Sequence, residues 1–284
     1  MRRRKFIAGL GSVAAWPIVA QAQPKRLPTI GFIGITHFGW GRWIAAFEER
    51  LRQLGWIDGR TVAIEYRWTE GRSERATQFA EELAGLKVDA IFTTGAAITA
   101  VQRATSVIPI VFGLAPDPVG AGFVASLSRP GGNATGLSIQ ATDLAGKRLQ
   151  LLREFLPGLH RPAILGTAYS SLEMNEFEAS ARTIGLEAVR VEITRAQDIV
   201  PAIEMLKDRA DALYVSADGL FFAERMRIIT MALGARLPTV FVNREFVESG
   251  GLMSYGGNDL SMFWRAAEMI DKILHGTRSR GQTY

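Results

Sequence analysis

Small polar and aromatic side chains recur where predicted buried strands end, and their types suit the binding of a small molecule. Hydroxyl groups and the N–H groups at a helix start bind a carboxylate, an acidic side chain binds an amine, and an aromatic ring stacks on an apolar body. The candidate ligand-binding residues are Thr36, His37, Phe38, Trp40, Thr93, Thr94, Gly95, Asp117, Thr167, Tyr169, Ser170, Ser216, Asp218, Asn243 and Tyr255.

These candidates divide by chemistry. The polar head of the ligand is expected to bind the hydroxyl and N–H groups of residues 93–95. A cationic group of the ligand is expected between Asp117 and Asp218, one from each half of the chain. The side chains expected to enclose the apolar body are Phe38, Trp40 and Tyr169. A structural explanation competes with each assignment, because Ser, Thr and Asp at strand–helix junctions also cap helices. Asp117, flanked by two prolines, could serve only its own turn.

The usual signatures of an enzyme are missing from the sequence. It contains no G-x-S-x-G elbow, no G-x-x-x-x-G-K-[ST] phosphate loop and no H-E-x-x-H pair. It has no cysteine and only three histidines, which are far apart at positions 37, 160 and 275. The sequence therefore predicts a binding protein without a metal or another cofactor.

The elements that must position these residues alternate between strand and helix. Strands are predicted at 28–35, 61–68, 90–94, 109–114, 134–139, 163–167, 188–193, 212–216, 239–243 and 252–255. Helices are predicted at 43–54, 73–86, 96–105, 122–127, 144–155, 171–184, 199–209, 220–235 and 261–274. Such alternation is typical of parallel βαβ units, which bind ligands beyond the carboxyl ends of their strands.

A segment rich in glycine and proline, residues 109–140, separates two such sets of elements. We therefore predict an α/β fold of two Rossmann-like lobes with parallel sheets, joined by a hinge. The first lobe is expected to comprise residues 28–134 and 252–275, and the second lobe residues 135–251. The strand at 134–139 is expected to cross from one lobe to the other.

The charge of the chain is concentrated at its start. The formal net charge is +5, but four of the 33 basic residues lie at positions 2–5, which leaves 29 basic against 28 acidic residues. No basic surface is required, and a nucleic-acid partner is not expected.

Residues 1–22 read as a cleavable signal peptide, with a basic start, an apolar stretch and the small–x–small pattern of residues 20–22. Residues 3–7 also resemble the twin-arginine export pattern, although the usual preceding Ser or Thr is missing.

Several longer motifs carry a resemblance that spans nearly all of the chain after residue 22. They are GWIDGRTVAIEYRW (55–68), PIVF (109–112), DPVGAGFVASLSRPGGNATGLS (117–138), KRLQLLREFLP (147–157) and REFVESGGLMSYG (244–256). On these motifs the chain resembles the substrate-binding proteins of bacterial ABC importers, of the kind linked to tryptophan and other aromatic amino acids. The resemblance implies a type I periplasmic-binding fold with a hinge and a ligand in the cleft, and it leaves the ligand open.

We therefore expect a periplasmic receptor that delivers a small organic solute, amino-acid-like or aromatic, to an ABC permease in the inner membrane. Two alternatives stay open: a ligand-sensing subunit of a membrane signalling system, and a periplasmic α/β enzyme.

One departure from the family concerns the end of the chain. Members usually continue with a further lobe crossing and a helix, whereas residues 276–284 form a polar tail. This predicts a truncated end and a lower stability than that of a full-length relative.

Overall fold

Two parallel sheets of five strands each form two lobes. The computed structural model describes residues 26–276, apart from the side chains of residues 37–39 and 73. The first lobe contains β1 (Thr29–Gly34), α1 (His37–Gln53), β2 (Ala63–Trp68), α2 (Ser73–Gly85), β3 (Ala90–Thr94), α3 (Ala97–Ala104), β4 (Ile110–Ala115), β5 (Ala134–Ser138) and α10 (Asp259–Leu274). The second lobe contains α4 (Ala145–Phe155), β6 (Pro162–Gly166), α5 (Ser171–Thr183), β7 (Val189–Glu192), α6 (Ile199–Leu206), β8 (Ala212–Val215), α7 (Gly219–Ala223), α8 (Arg225–Gly234), β9 (Thr239–Phe241), α9 (Arg244–Glu248) and β10 (Met253–Ser254).

The strand order is β2-β1-β3-β4-β5 in the first sheet and β10-β9-β8-β6-β7 in the second. The paired strands run parallel in both sheets, which confirms the predicted fold class. Helices cover the faces of each sheet, so the central strands β3, β6 and β8 are buried on both sides. In each lobe the carboxyl ends of the strands therefore converge at one edge, where loops and helix starts can hold a ligand.

Aromatic side chains fill the centre of the first lobe. Phe32 in β1 lies 5.6 Å from Phe47 in α1, measured between ring centroids, and Phe92 in β3 lies 5.3 Å from Phe263 in α10. All four side chains are fully buried. The last helix is thus part of the first lobe, although the preceding elements α4–β10 belong to the second.

Both lobe boundaries expected from the sequence are wrong by one strand. β5 pairs with β4 in the first sheet, so residues 134–138 do not cross between the lobes. Gly136 allows this pairing, because a β-carbon at that position would lie only 2.0 Å from the carbonyl oxygen of Phe112. Conversely, β10 pairs with β9 in the second sheet, so the segment at 252–255 does not belong to the first lobe.

The first helix begins earlier than the sequence predicts. α1 starts at His37, six residues before the predicted start at residue 43. Gly39 and Gly41 suggest a loop, but Trp40 lies one turn before Trp43 and Ile44, on the face that packs into the core.

The helix predicted at 122–127 is also wrong, because that segment consists of turns and bends and Gly122 has a positive φ of 73°. The helix predicted at 220–235 is divided into α7 and α8.

The described chain passes between the lobes twice. We call residues 139–144, between β5 and α4, the first crossing, and residues 255–258, between β10 and α10, the second crossing. Gly256 in the second crossing lies close to the residue that follows β9, and a β-carbon at Gly256 would stand 2.2 Å from the carbonyl oxygen of Val242. Backbone therefore faces backbone at the point where the chain returns to the first lobe.

We expect Gly256→Ala to lower the free energy of unfolding by about 1–3 kcal/mol, because two backbone segments must separate to admit the methyl group. Urea denaturation followed by circular dichroism measures this loss. Gly158→Ala is the matched control, since no atom lies within 4 Å of a β-carbon at that position. Equal losses in the two variants would contradict the tight packing at the second crossing.

Two predictions lie outside the described residues: the signal peptide at 1–22 and, apart from Gly276, the polar tail at 276–284. Within residues 26–276, no helix has the length and apolar character that a membrane span requires.

Candidate functional site

Two adjoining cavities lie between the lobes, at the carboxyl ends of the strands. The larger, about 350 Å³, we call the polar chamber. Its lining comprises Gly34, Ile35, Thr69, Gly71, Arg72, Ala76, Thr94, Ala96, Ala97, Thr167, Ala168, Tyr169, Ile193, Thr194, Asp218, Gly219 and Leu220. The smaller, about 40 Å³, we call the aromatic chamber. Its lining comprises Ile35, Trp40, Trp43, Thr94, Gly95, Leu114, Pro116, Ile139, Tyr169, Ala217, Asp218, Gly219, Phe222 and Asn243.

The two chambers share a wall that both lobes build. Ile35 and Thr94 come from the first lobe, and Tyr169, Asp218 and Gly219 come from the second. A β-carbon on Gly219 would lie 2.3 Å from Cδ1 of Ile35, so the lobes are in van der Waals contact at this wall. The absence of a side chain at Gly219 is what permits this contact.

Asp218 is the acidic group of the shared wall. It follows β8 and caps α7, since its Oδ1 accepts a hydrogen bond from the N–H of Leu220 at 2.8 Å. The hydroxyl of Thr167 donates to its Oδ2 at 2.5 Å. Burial raises the pKa of Asp218, and these two hydrogen bonds oppose that rise. Among the residues that the structure describes, no basic side chain pairs with this carboxylate, so a cationic ligand group would supply its missing counter-charge.

Three buried polar atoms around the chambers have no hydrogen-bond partner in the described part of the chain. They are Oγ1 of Thr94, the hydroxyl of Tyr169 and Nε1 of Trp40. An unpaired buried polar group is costly, and native proteins satisfy nearly all such groups with protein, water or ligand. Burial and the nearby carboxylates of Asp218 and Glu173 raise the pKa of the Tyr169 hydroxyl, which therefore stays a neutral donor. These atoms can bind a polar solute.

The aromatic chamber is nearly filled by its own side chains. Trp43 in α1 lies 4.9 Å from Phe222 in α7, measured between ring centroids, and Trp40 lies 5.6 Å from Phe263 in α10. The chamber volume is far below the roughly 300–1,000 Å³ that is typical of ligand pockets. Its walls also carry a polar contact between the lobes, because Nε1 of Trp43 donates to Glu245 at 3.1 Å.

About half of the sequence-predicted site residues line these chambers. Those that do are Trp40, Thr94, Gly95, Thr167, Tyr169, Asp218 and Asn243. Thr36 lies outside both linings, and the side chains of His37 and Phe38 are outside the described part of the structure. Trp40 is 1% exposed and packs among aromatic rings.

Five other predicted residues point elsewhere. Asp117 accepts a hydrogen bond from the N–H of Gly120 at 2.7 Å, so it stabilises its own turn and is absent from both linings. Ser216 donates to Ser170 at 2.8 Å behind the Thr167 loop. Thr93 is fully buried outside the linings, and Tyr255 is 40% exposed on the second crossing.

Some lining residues were not predicted from the sequence. Thr69 and Thr194 follow β2 and β7, so the same strand-end rule that found the other threonines applies to them. Trp43 carries a weaker signal, its position one turn after Trp40. Gly219 and Arg72 carry no local signal, since their roles depend on what the opposite lobe places beside them.

Comparison with known proteins agrees with this architecture. Residues 33–281 match the family described as ABC transporter substrate binding protein. A tyrosine-binding protein of Clostridioides difficile (strain R20291) is 26% identical over 237 residues, which cover 81% of this chain and 67% of that protein. A conserved domain protein from Vibrio cholerae has a similar structure, with a TM-score of 0.84, 23% identity and coverage of 91% of this chain and 89% of that one. The ABC domain in complex with L-Trp from Streptococcus pneumonia has a TM-score of 0.83, 21% identity and the same two coverages.

Proposed function

Because this chain belongs to the family of ABC transporter substrate binding proteins, we propose that it captures a small amino-acid-like zwitterion between its lobes. The family is one of solute-binding proteins, and the chain has a solute-binding role. The amino-acid class, delivery to an ABC permease and export by the leader at 1–22 are parts of the proposal. The observation that supports it most is the half-buried carboxylate of Asp218 on a wall shared by both lobes.

Asp218 supplies the position for an ammonium group. Its two oxygens already accept from Thr167 and Leu220, and each carboxylate oxygen has a further lone pair for a ligand donor. A charge-assisted hydrogen bond in such a desolvated wall is stronger than one between neutral groups. An ammonium group at Asp218 would contact the second lobe while the rest of the ligand reaches the first.

The first lobe supplies the position for a carboxylate. The helix α3 begins at Ala97, and both Ala96 and Ala97 line the polar chamber. The first N–H groups of a helix have no intrahelical partner and favour an anion. The unpartnered Oγ1 of Thr94 lies at the same strand end, and the guanidinium side chain of Arg72 contributes positive charge to the lining.

The chamber volumes indicate where the body of the solute lies. The polar chamber is large enough for a small ligand, whereas the aromatic chamber is not. We therefore place the body in the polar chamber beside Tyr169, and not between Trp40 and Phe38. The tyrosine-binding relative and the L-Trp complex support an amino acid as the ligand class.

Closure follows from the division of the site between the lobes. A solute that binds Asp218 on one side and Thr94 on the other makes all its contacts only when the lobes meet, so binding shifts the population toward the closed state. Direct contacts then hold the closed state: Ile35 against Gly219, and Arg42 against Glu248 at 3.1 Å.

We expect Gly219→Ala to weaken solute binding by roughly fivefold, or about 1 kcal/mol, because the new methyl group overlaps Ile35 when the lobes close. Isothermal titration calorimetry measures the loss. Adding Ile35→Ala to the same chain should restore much of the affinity by removing the overlapping atoms. If the double variant binds no better than Gly219→Ala, the overlap is not the cause.

A thermal-shift screen tests the proposed ligand class. The screen compares the standard L-amino acids, including L-tyrosine and L-tryptophan, with tyramine and 3-(4-hydroxyphenyl)propionate, which lack the carboxylate and the amine of tyrosine. We expect at least one amino acid to raise the melting temperature, and the two analogues to have no effect. Two results would contradict the proposal: the analogues stabilise the protein as much as tyrosine does, or no amino acid raises the melting temperature.

A further inference from the structure

The guanidinium group of Arg148 joins the two crossings of the chain. Arg148 lies in the first turn of α4 and is fully buried. Its Nη1 donates to the carbonyl oxygen of Ala141 in the first crossing at 2.8 Å. Its Nε donates to the carbonyl oxygen of Tyr255 in the second crossing at 2.6 Å. One side chain thus holds both segments through which the lobes can move relative to each other.

A second buried group connects Arg148 to the ligand site. Oε1 of Glu173 lies 3.6 Å from Nη1 of Arg148. The hydroxyl of Tyr214 joins the two groups, since it accepts a hydrogen bond from Nη1 of Arg148 at 2.9 Å and donates one to Oε1 of Glu173. Oε2 of Glu173 accepts a hydrogen bond from the N–H of Ala217 at 2.9 Å. Ala217 lines the aromatic chamber and immediately precedes Asp218. The network therefore extends from both crossings to the residue next to the proposed ammonium site.

We propose that Arg148 is a positioning residue for closure, which fixes the two crossings to each other and, through Glu173, to the backbone before Asp218. The proposal rests on the capture of a solute between the lobes. A planar guanidinium presents N–H groups in a rigid fork, so it can hold two carbonyl oxygens from separate segments in a fixed relation. The lobes then move about one hinge axis, and Asp218 returns to the same place at each closure.

The competing explanation is that Arg148 only stabilises the second lobe. The two explanations separate when Arg148 and Glu173 are replaced together. Removing one partner of a buried ion pair leaves a buried charge unpaired, whereas replacing both by apolar residues of similar volume is often neutral for stability. Arg148→Met with Glu173→Met should therefore keep a folded second lobe, and it removes both hydrogen bonds to the crossings.

The test measures the distance between the lobes in the protein without added solute. The chain has no cysteine, so Val107→Cys and Leu233→Cys, at exposed positions of the first and second lobe, accept spin labels selectively. Double electron–electron resonance then gives the distribution of inter-lobe distances. Arg148→Lys is measured as well, because it keeps a positive charge beside Glu173 but not the fork. Arg50→Met is the matched control, since Arg50 pairs with Glu268 inside the first lobe at 2.6 Å.

We expect the parent protein and Arg50→Met to give one narrow distribution. Arg148→Met/Glu173→Met should keep a cooperative melt but lose that narrow distribution, and Arg148→Lys should lose it in part. A folded double variant with the parent distribution would overturn the proposal and leave Arg148 a stabilising residue only. The distances are measured without solute, so this result is independent of whether the amino-acid screen succeeds.

Discussion

We expect Asp218→Ala to weaken solute binding by about ten- to a hundredfold, because the lost charged hydrogen bond in a desolvated wall is worth roughly 1.5–3 kcal/mol. Asp218 also caps α7, so the same substitution should cost about 1 kcal/mol of stability. Calorimetric titration and a thermal melt on the same variant separate the two effects. The loss of affinity should exceed anything that the loss of the cap explains.

Asp117→Ala is the matched control for that experiment. Its carboxylate accepts from the N–H of Gly120 and lies outside the linings of both chambers. We expect it to lower stability by up to about 1 kcal/mol, as the loss of a local turn hydrogen bond does, and to leave affinity unchanged. Equal affinity losses in Asp117→Ala and Asp218→Ala would contradict the placement of the ammonium group at Asp218.

A second large effect is expected for Asp259, whose side chain connects the lobes. Asp259 opens α10 in the first lobe, and its Oδ2 accepts a hydrogen bond from Asn243 of the second lobe at 2.6 Å. Burial raises the pKa of Asp259 from 3.8 to about 7, with a smaller contribution from the charge of Glu245, while the hydrogen bond from Asn243 opposes the rise. The folded protein therefore holds a proton that the unfolded chain releases.

The sign of the pH dependence follows from this difference. Between pH 3.8 and about 7 the folded state binds more protons at Asp259 than the unfolded state does, so this contribution to stability falls as the pH rises. This contribution is fully present below the pKa of Asp259 in the unfolded chain, and it is lost as the pH rises through the pKa of Asp259 in the folded protein. The expected loss is on the order of a few kcal/mol.

Asp259→Asn should remove this dependence, because the amide oxygen still accepts from Asn243 and carries no charge. Free energies of unfolding from urea denaturation at pH 5, 6, 7 and 8 measure it. The gain in stability of Asp259→Asn over the parent protein should grow with pH. Asp143→Asn, at an exposed position, should follow the parent protein at every pH. A gain that is constant across the series would show that Asp259 does not titrate in this range.

The sequence predicts the edge of the sheets at which the cleft forms, because the rule for parallel strands needs only the positions of the strand ends. Thr94, Thr167 and Asp218 follow from it directly. The rule does not say which way each side chain turns. Thr93 and Thr94 are neighbours in β3, and the pleat of the strand directs them to opposite sides, so that only Thr94 reaches the chambers.

Other features depend on contacts between distant segments and leave no local pattern. The two residues of β10 are too few to reveal which sheet they join, and β5 reads as a crossing until its pairing with β4 is seen. The residue type and sequence position of Asp117 are typical of a ligand-binding residue and of a turn residue alike. Glycine is needed at position 219 because Ile35 approaches it from the other lobe, and no pattern around residue 219 indicates that contact.

The most direct test of capture between the lobes is a crystal structure of the protein with the amino acid that gives the largest thermal shift. We predict electron density for the ligand in the polar chamber, with its ammonium group within hydrogen-bond distance of Asp218 and its carboxylate at Thr94 and the start of α3. Ligand density outside the cleft, or a bound amino acid with no contact to Asp218, would contradict the proposed site.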